Sequence, residues 1–207
     1  MEQRRGTETE RRAATTLTPR FTDALAWACA LHASQRRKGS GTPYIAHLLG
    51  VCSTVLEHGA DEDEAVAALL HDAIEDQGGA QARQQIRDRF GEAVVAIVDG
   101  CTDADVQPKP PWRQRKEAYL AHLPHAAPSV LLVSAADKLY NARTILLDYR
   151  RIGEQLWDRF KGGREGTLWY YHSLVPLLLR HGPRQLAEEL QRVVGELDQL
   201  VGSPPDA

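Results

Sequence analysis

No apolar run in the 207 residues approaches the ~20 needed to cross a bilayer, so a membrane span is not expected. The opening sixteen residues, MEQRRGTETERRAATT, are charged and carry no apolar core of a secretory signal. Cysteine is scarce. Cys29, Cys52 and Cys101 are odd in number, widely spaced and never form a C-x-x-C, which argues against a disulfide framework and a thiolate zinc site. Their apolar flanks predict buried, reduced thiols. Charge of one sign is also missing: the formal net charge is -3, giving no bulk reason for a nucleic-acid or membrane partner. Strand-like alternation is weak throughout. A cytoplasmic protein is expected, and nothing in the sequence indicates its oligomeric state.

What is present is helical periodicity. With 43% hydrophobic and 26% charged residues, the chain can build one soluble core. Thr18 and Pro19 read as an N-cap and first residue of a helix reaching about His32. A second helix runs from about Tyr44 to His58, before Gly59. Asp61 caps a third, expected to continue through LLHDAIED (69–76). QARQQIRDRF and EAVVAIVDGCTD follow as helices. The prolines of ADVQPKPPW then force a loop. RQRKEAYLAHL resumes a helix, Pro128 opens a long one, Gly153 starts another, and TLWYYHSLVPLLLRHG is expected to be kinked or weakened at Pro176. Pro183 opens the last. The expected architecture is all-α, a helical bundle in one domain over residues 17–200, with a disordered tail at 1–16 and a frayed one at 201–207.

The polar residues inside apolar helices carry the chemistry. Buried charges are costly unless paired or bound to a metal. His71, Asp72, Glu75 and Asp76 flank Ala73 and Ile74 just after Leu69 and Leu70, in a segment otherwise suited to the core. His47 is the only imidazole or carboxyl group of PYIAHLLGV. Asp137, Asn141 and Thr144 recur at helical spacing within VLLVSAADKLYNARTILL. Singly, each has an ordinary role: a core histidine, a solvated helix end, a surface Asp137–Lys138 pair. Together, three helices can aim His47, His71, Asp72 and Asp137 at one point. Two imidazoles and two carboxylates without thiolate suit Mn²⁺, Fe²⁺ or Mg²⁺, with Zn²⁺ less favoured. Glu75 and Asp76 lie one turn on, with no evident partner, where one can orient water and the other protonate a leaving group. Arg37 and Lys38, in the QRRKGSGTPY loop, can reach phosphate oxygens. Lys116, Lys161 and Arg164 can extend that pocket, whereas Trp157, Trp169, Tyr170 and Tyr171 fit core positions better.

The order H…HD…D, with QRRKGSGTPYIAH, ALLHDAIED, FGEAVVAIVDGCTD and AADKLYNARTI, resembles the HD-domain metal-dependent phosphohydrolases. Within them it is similar to the RelA/SpoT hydrolase domain and the small alarmone hydrolases, over about residues 21–148. The resemblance implies an HD-domain helical bundle, manganese dependence and removal of the 3′-pyrophosphate from (p)ppGpp. It implies metal ligands at His47, His71, Asp72 and Asp137, a catalytic pair at Glu75 and Asp76, a basic pair at Arg37 and Lys38, and sugar and phosphate contacts at Asn141 and Thr144. Leu48 stands where the family usually has Pro, Ser134 where it usually has Lys, and Tyr140 where His is common. With no synthetase-like segment after residue 207, hydrolysis rather than synthesis is expected. Two alternatives stay open: the same chemistry on another nucleotide, such as a nucleoside monophosphate or NADPH, and a non-catalytic nucleotide-binding HD protein.

Overall fold

The computed structural model describes residues 15–104 and 108–202. The terminal stretches 1–14 and 203–207, which fall within the expected tails, lie outside it. Within it, the hydroxyl of Thr15 donates to the Ala60 carbonyl at 2.6 Å, and the last helix continues through Gly202.

Helices account for the architecture. They are α1 Pro19–Leu31, α2 Ile45–Glu57, α3 Glu62–Leu70, α4 Ala73–Gln77, α5 Gly79–Phe90, α6 Glu92–Cys101, α7 Trp112–His122, α8 Pro128–Ile152, α9 Gly163–His181 and α10 Arg184–Gly202. Among the described residues the only β pairing is the isolated bridge Arg36–Pro43. The local signals work as expected. The Thr18 hydroxyl accepts from Arg20 N–H. Asp61 and Glu64 form a reciprocal capping box at 2.9 Å each, satisfying two orphan donors.

The hub is α3. Every residue from Glu64 to Leu70 is buried, as a helix apolar on all sides must be. It is packed by α1, α2, α6 and α8. Ala65, Ala67 and Ala68 let those neighbours approach closely. Leu69 and Leu70, fully buried, each contribute roughly 1.5–3 kcal/mol. The long α8 buries Val130 to Asp137 and is backed by α10. The polar residues at the end of α3, in α2 and in mid-α8 are thereby delivered to one place.

Three expectations need correction. The helix through LLHDAIED is interrupted: α3 stops at Leu70, His71 and Asp72 form a turn, and α4 restarts at Ala73. His71 Nδ1 takes the Ala68 carbonyl at 2.8 Å, using an acceptor of the last turn. The segment after Gly153 is a 3₁₀ helix, Gly153–Arg159, rather than an α-helix. Helix α9 carries Pro176 in its interior, in keeping with the expected single helix, and is held by α7, α8 and α10. Finally, the three thiols are free, but Cys29 is exposed; only Cys52 is fully in the core, with Cys101 part-buried.

Candidate functional site

Helix α2 places His47, the α3–α4 turn places His71 and Asp72, and α8 places Asp137. Successive residues of an α-helix project ~100° apart. The turn at 71–72 relaxes that constraint, so neighbouring side chains face one point. His47 Nε2 lies 3.2 Å from His71 Nε2, 3.3 Å from Asp137 Oδ1 and 3.5 Å from Asp72 Oδ2. His71 Nε2 lies 3.1 Å from Asp72 Oδ2 and 3.7 Å from Asp137 Oδ1.

Three of these five separations fall where a small divalent ion needs them. With bonds of ~2.1 Å, adjacent ligand atoms sit roughly 3.0–3.4 Å apart. His47, His71 and Asp137 form the buried set that can hold an ion, with one donor atom each within 4.8 Å of the others. Asp72 is partly exposed and adds its oxygen beside both imidazoles. The carbonyl on His71 Nδ1 leaves Nε2 as the ligating atom. Two facing imidazole nitrogens between two carboxylates are a donor set that fits a divalent cation.

Electrostatics prepare the carboxylates. Burial pushes Asp137 up, but Lys138 and the two imidazoles outweigh it and hold the carboxyl well below the usual range. Asp72 behaves likewise: burial opposes ionisation, and His71 and His47 overcome it. Both carboxyls therefore favour the ionised form. Lys138 Nζ donates to Asp137 Oδ2 at 2.5 Å, and Asn141 Nδ2 to Oδ1 at 2.6 Å. Burial disfavours the charged form of Lys138, but Asp137 outweighs it and holds the ammonium above its ordinary value. The Tyr44 hydroxyl donates to Asp72 Oδ2 at 2.6 Å.

Around this centre opens a cleft of about 520 Å³. Arg37, Lys38, Asn141 and Thr144 all line it. Arg37 donates to Asn141 Oδ1 at 2.8 Å, and its guanidinium lies 6.0 Å from both the Tyr44 and Tyr140 rings. The Thr144 hydroxyl donates to the Tyr140 carbonyl of its own helix at 2.9 Å. Gly39 holds the loop open at a left-handed φ of 81°, where a Cβ would stand 2.0 Å from Arg159 Nε.

Glu75 and Asp76 also face the cleft, and neither is partnerless, contrary to expectation. Lys109 Nζ donates to Glu75 Oε1 at 2.9 Å, and Arg115 lies 3.5 Å from the same oxygen. Gln35 Nε2 donates to Asp76 Oδ2 at 2.8 Å. Desolvation, then the charge of Asp72, raises the Asp76 carboxyl above its ordinary value. Lys116, Lys161, Tyr170 and Tyr171 line the cleft as well. Arg164 instead donates to the Val201 carbonyl, Trp157 is buried in the core, and Trp169 stacks under Arg113.

Tyr44, Gln35, Lys109, Arg115 and Lys138 are the cleft residues that sequence reasoning missed. Lys138 carried a signal: a lysine adjacent to a candidate ligand inside an apolar helix. So did Lys109, fixed between prolines at 108 and 110.

This geometry agrees with the comparisons. The HD domain family model matches residues 24–168, and the chain belongs to that family. It is similar to proteins named guanosine-3′,5′-bis(diphosphate) 3′-pyrophosphohydrolase MESH1. The Homo sapiens protein is 39% identical over 175 residues, 83% of this chain and 90% of that one. The Danio rerio protein is 37% identical over 174 residues, with the same coverage of 83% and 90%. The fold matches a solved structure of a metazoan ortholog of SpoT that hydrolyzes ppGpp, with TM-score 0.74, 24% identity, and coverage of 89% of this chain and 98% of that one.

Proposed function

We propose that the protein is a metal-dependent phosphohydrolase that removes the 3′-pyrophosphate from guanosine 3′,5′-bis(diphosphate) or its pentaphosphate relative. The observation that carries this reading is the convergence of His47, His71, Asp72 and Asp137 beside two further carboxylates in a cationic cleft. Nine Lys or Arg line that cleft against six Asp or Glu, so it favours a polyanion even before a cation binds. Its volume suits a nucleotide. The names of the similar proteins supply the particular substrate.

His47, His71, Asp72 and Asp137 would hold the ion; the donor types suit manganese, iron or magnesium, with zinc less favoured, and the family resemblance makes manganese the first choice. A divalent ion there supplies Lewis-acid activation of water near neutral pH. The chain's own residues do the rest. Lys109 and Arg115 clamp Glu75, which suits it to orient the attacking water. Asp76, with its raised carboxyl, suits proton transfer to the 3′-oxygen as the phosphoester bond breaks. Arg37, braced by Asn141, pairs with or stacks on the nucleotide, and Lys38 neutralises phosphate. Water adds across the 3′ linkage, giving GDP and pyrophosphate from the tetraphosphate.

Among the described residues no helix is long and apolar enough to cross a membrane. A cytoplasmic setting with a soluble nucleotide substrate belongs to the same reading. The test offers purified, Mn²⁺-loaded protein the tetraphosphate, GTP, NADPH and nucleoside monophosphates, following pyrophosphate and orthophosphate separately. Pyrophosphate with GDP left behind is the expected result. Orthophosphate from NADPH or a monophosphate, and nothing from the tetraphosphate, would overturn the substrate while keeping the phosphohydrolase.

A further inference from the structure

Resting on the proton-transfer role given to Asp76, we propose that Gln35 is its positioning residue, locked in one orientation by His32 and Gln77. The Gln35 amide sits at the centre of a small network. Its Nε2 donates to Asp76 Oδ2 at 2.8 Å. Its Oε1 accepts from Gln77 Nε2 at 2.5 Å and lies 2.6 Å from His32 Nδ1. Turning the amide over would set its NH₂ against the Gln77 NH₂, which only donates, and would leave the Asp76 oxygen without its amide donor. The orientation that donates to Asp76 is therefore favoured.

The backbone is pinned too. Gln35 N–H donates to the His32 carbonyl at 3.0 Å, and Tyr44 N–H to the Gln35 carbonyl at 3.1 Å. His32 is only 2% exposed, and its ring stacks on Tyr44 with centroids 5.2 Å apart and planes at 19°. Tyr44 in turn holds Asp72. The same platform thus holds Asp72 through Tyr44 and Asp76 through Gln35. Asp76 N–H closes the other side on the Asp72 carbonyl at 2.9 Å. The distance between the proposed ligand and the proposed proton carrier is set from both directions. A 1 Å misplacement of such a group costs on the order of 10²-fold in rate.

Gln35→Glu separates positioning from packing. Glutamate keeps the shape and the acceptor for His32 and Gln77, but replaces the donor to Asp76 with a carboxylate oxygen. The expected result is a kcat lower by about 10- to 100-fold, with KM within about twofold. Gln35→Met, which adds no charge, should lower kcat similarly should the glutamate variant fold poorly. In an Asp76→Asn background, Gln35→Glu should change kcat less than about twofold. Independently of turnover, a Gln35 side-chain N–H proton should exchange slowly with solvent in the wild type and faster in Asp76→Ala. An unprotected Gln35 amide, or an equal loss of kcat with and without Asp76, would overturn the inference. Wild-type protein that hydrolyses no phosphoester would count against the proposed function, while the protection of the amide still decides the role of Gln35.

Discussion

Adding Mn²⁺ to ion-free protein should raise its melting temperature, and Asp72→Asn should abolish most of the rise. Without an ion, two ionised carboxylates and two imidazoles are crowded within 3.1–3.7 Å across the pairs formed by His47 and His71. An ion that binds only the folded site stabilises by RT ln(1 + [L]/Kd), about 2.7 kcal/mol at a hundred times Kd. For a chain of this size each kcal/mol moves the midpoint by ~2–4 °C, so the rise should be roughly 5–11 °C. Asparagine keeps an acceptor for the Tyr44 hydroxyl, which accounts for little change in the ion-free midpoint. Asp72→Ala would remove that acceptor as well, costing about 1–3 kcal/mol in addition to the metal and the activity. The assay is differential scanning with and without Mn²⁺, paired with metal content after gel filtration. A full rise and unchanged metal content in Asp72→Asn would refute the assignment of Asp72. Replacing Cys29, Cys52 and Cys101 with Ala should leave the rise intact, since none lies in the ligand set.

Glu75→Gln should retain the metal but lower kcat by roughly 10²-fold or more, because it removes a positioned carboxylate and unpairs Lys109; a near-wild-type rate would move the role elsewhere. Arg37→Ala and Lys38→Ala should chiefly raise KM, by about tenfold for Arg37, since such contacts exist in ground and transition states alike. A kcat loss at constant KM would show instead that Arg37 acts on the transition state. Native protein at pH 8 should label one thiol, Cys29, with all three reacting after denaturation. Burial pushes the Cys52 thiol up to about 12 and Cys101 to about 11. Because the folded state favours the neutral thiols, these two groups leave stability unaffected below their ordinary value near 9 and diminish it as pH climbs from there towards 11–12. Rapid labelling of Cys52 at pH 8 would contradict its burial.

Much of the fold was legible because its causes are local. The caps at Thr18 and Asp61, the proline starts at 19 and 128, and apolar repeats at helical spacing are short-range interactions, visible in a string of residues. The four candidate ligands were legible for a related reason: a charged or imidazole group in an apolar helix needs compensation wherever that helix packs. The break at His71–Asp72 was not. No glycine or proline marks it, and it exists because a side chain takes the Ala68 carbonyl while both residues turn toward groups on α2 and α8.

The partners of the cleft residues were likewise beyond the sequence. Glu75 meets Lys109 across 34 positions, Asp76 meets Gln35 across 41, and Arg37 meets Asn141 across 104. No periodicity encodes such pairs, since they depend on how whole helices dock. The sequence by itself determined an all-helical chain, its apolar faces and the residue types able to bind a cation. Only the tertiary structure decided which carboxylate is clamped by cations and which is held by a neutral amide. That difference arises from packing distant segments against α4, and it separates the roles proposed for Glu75 and Asp76.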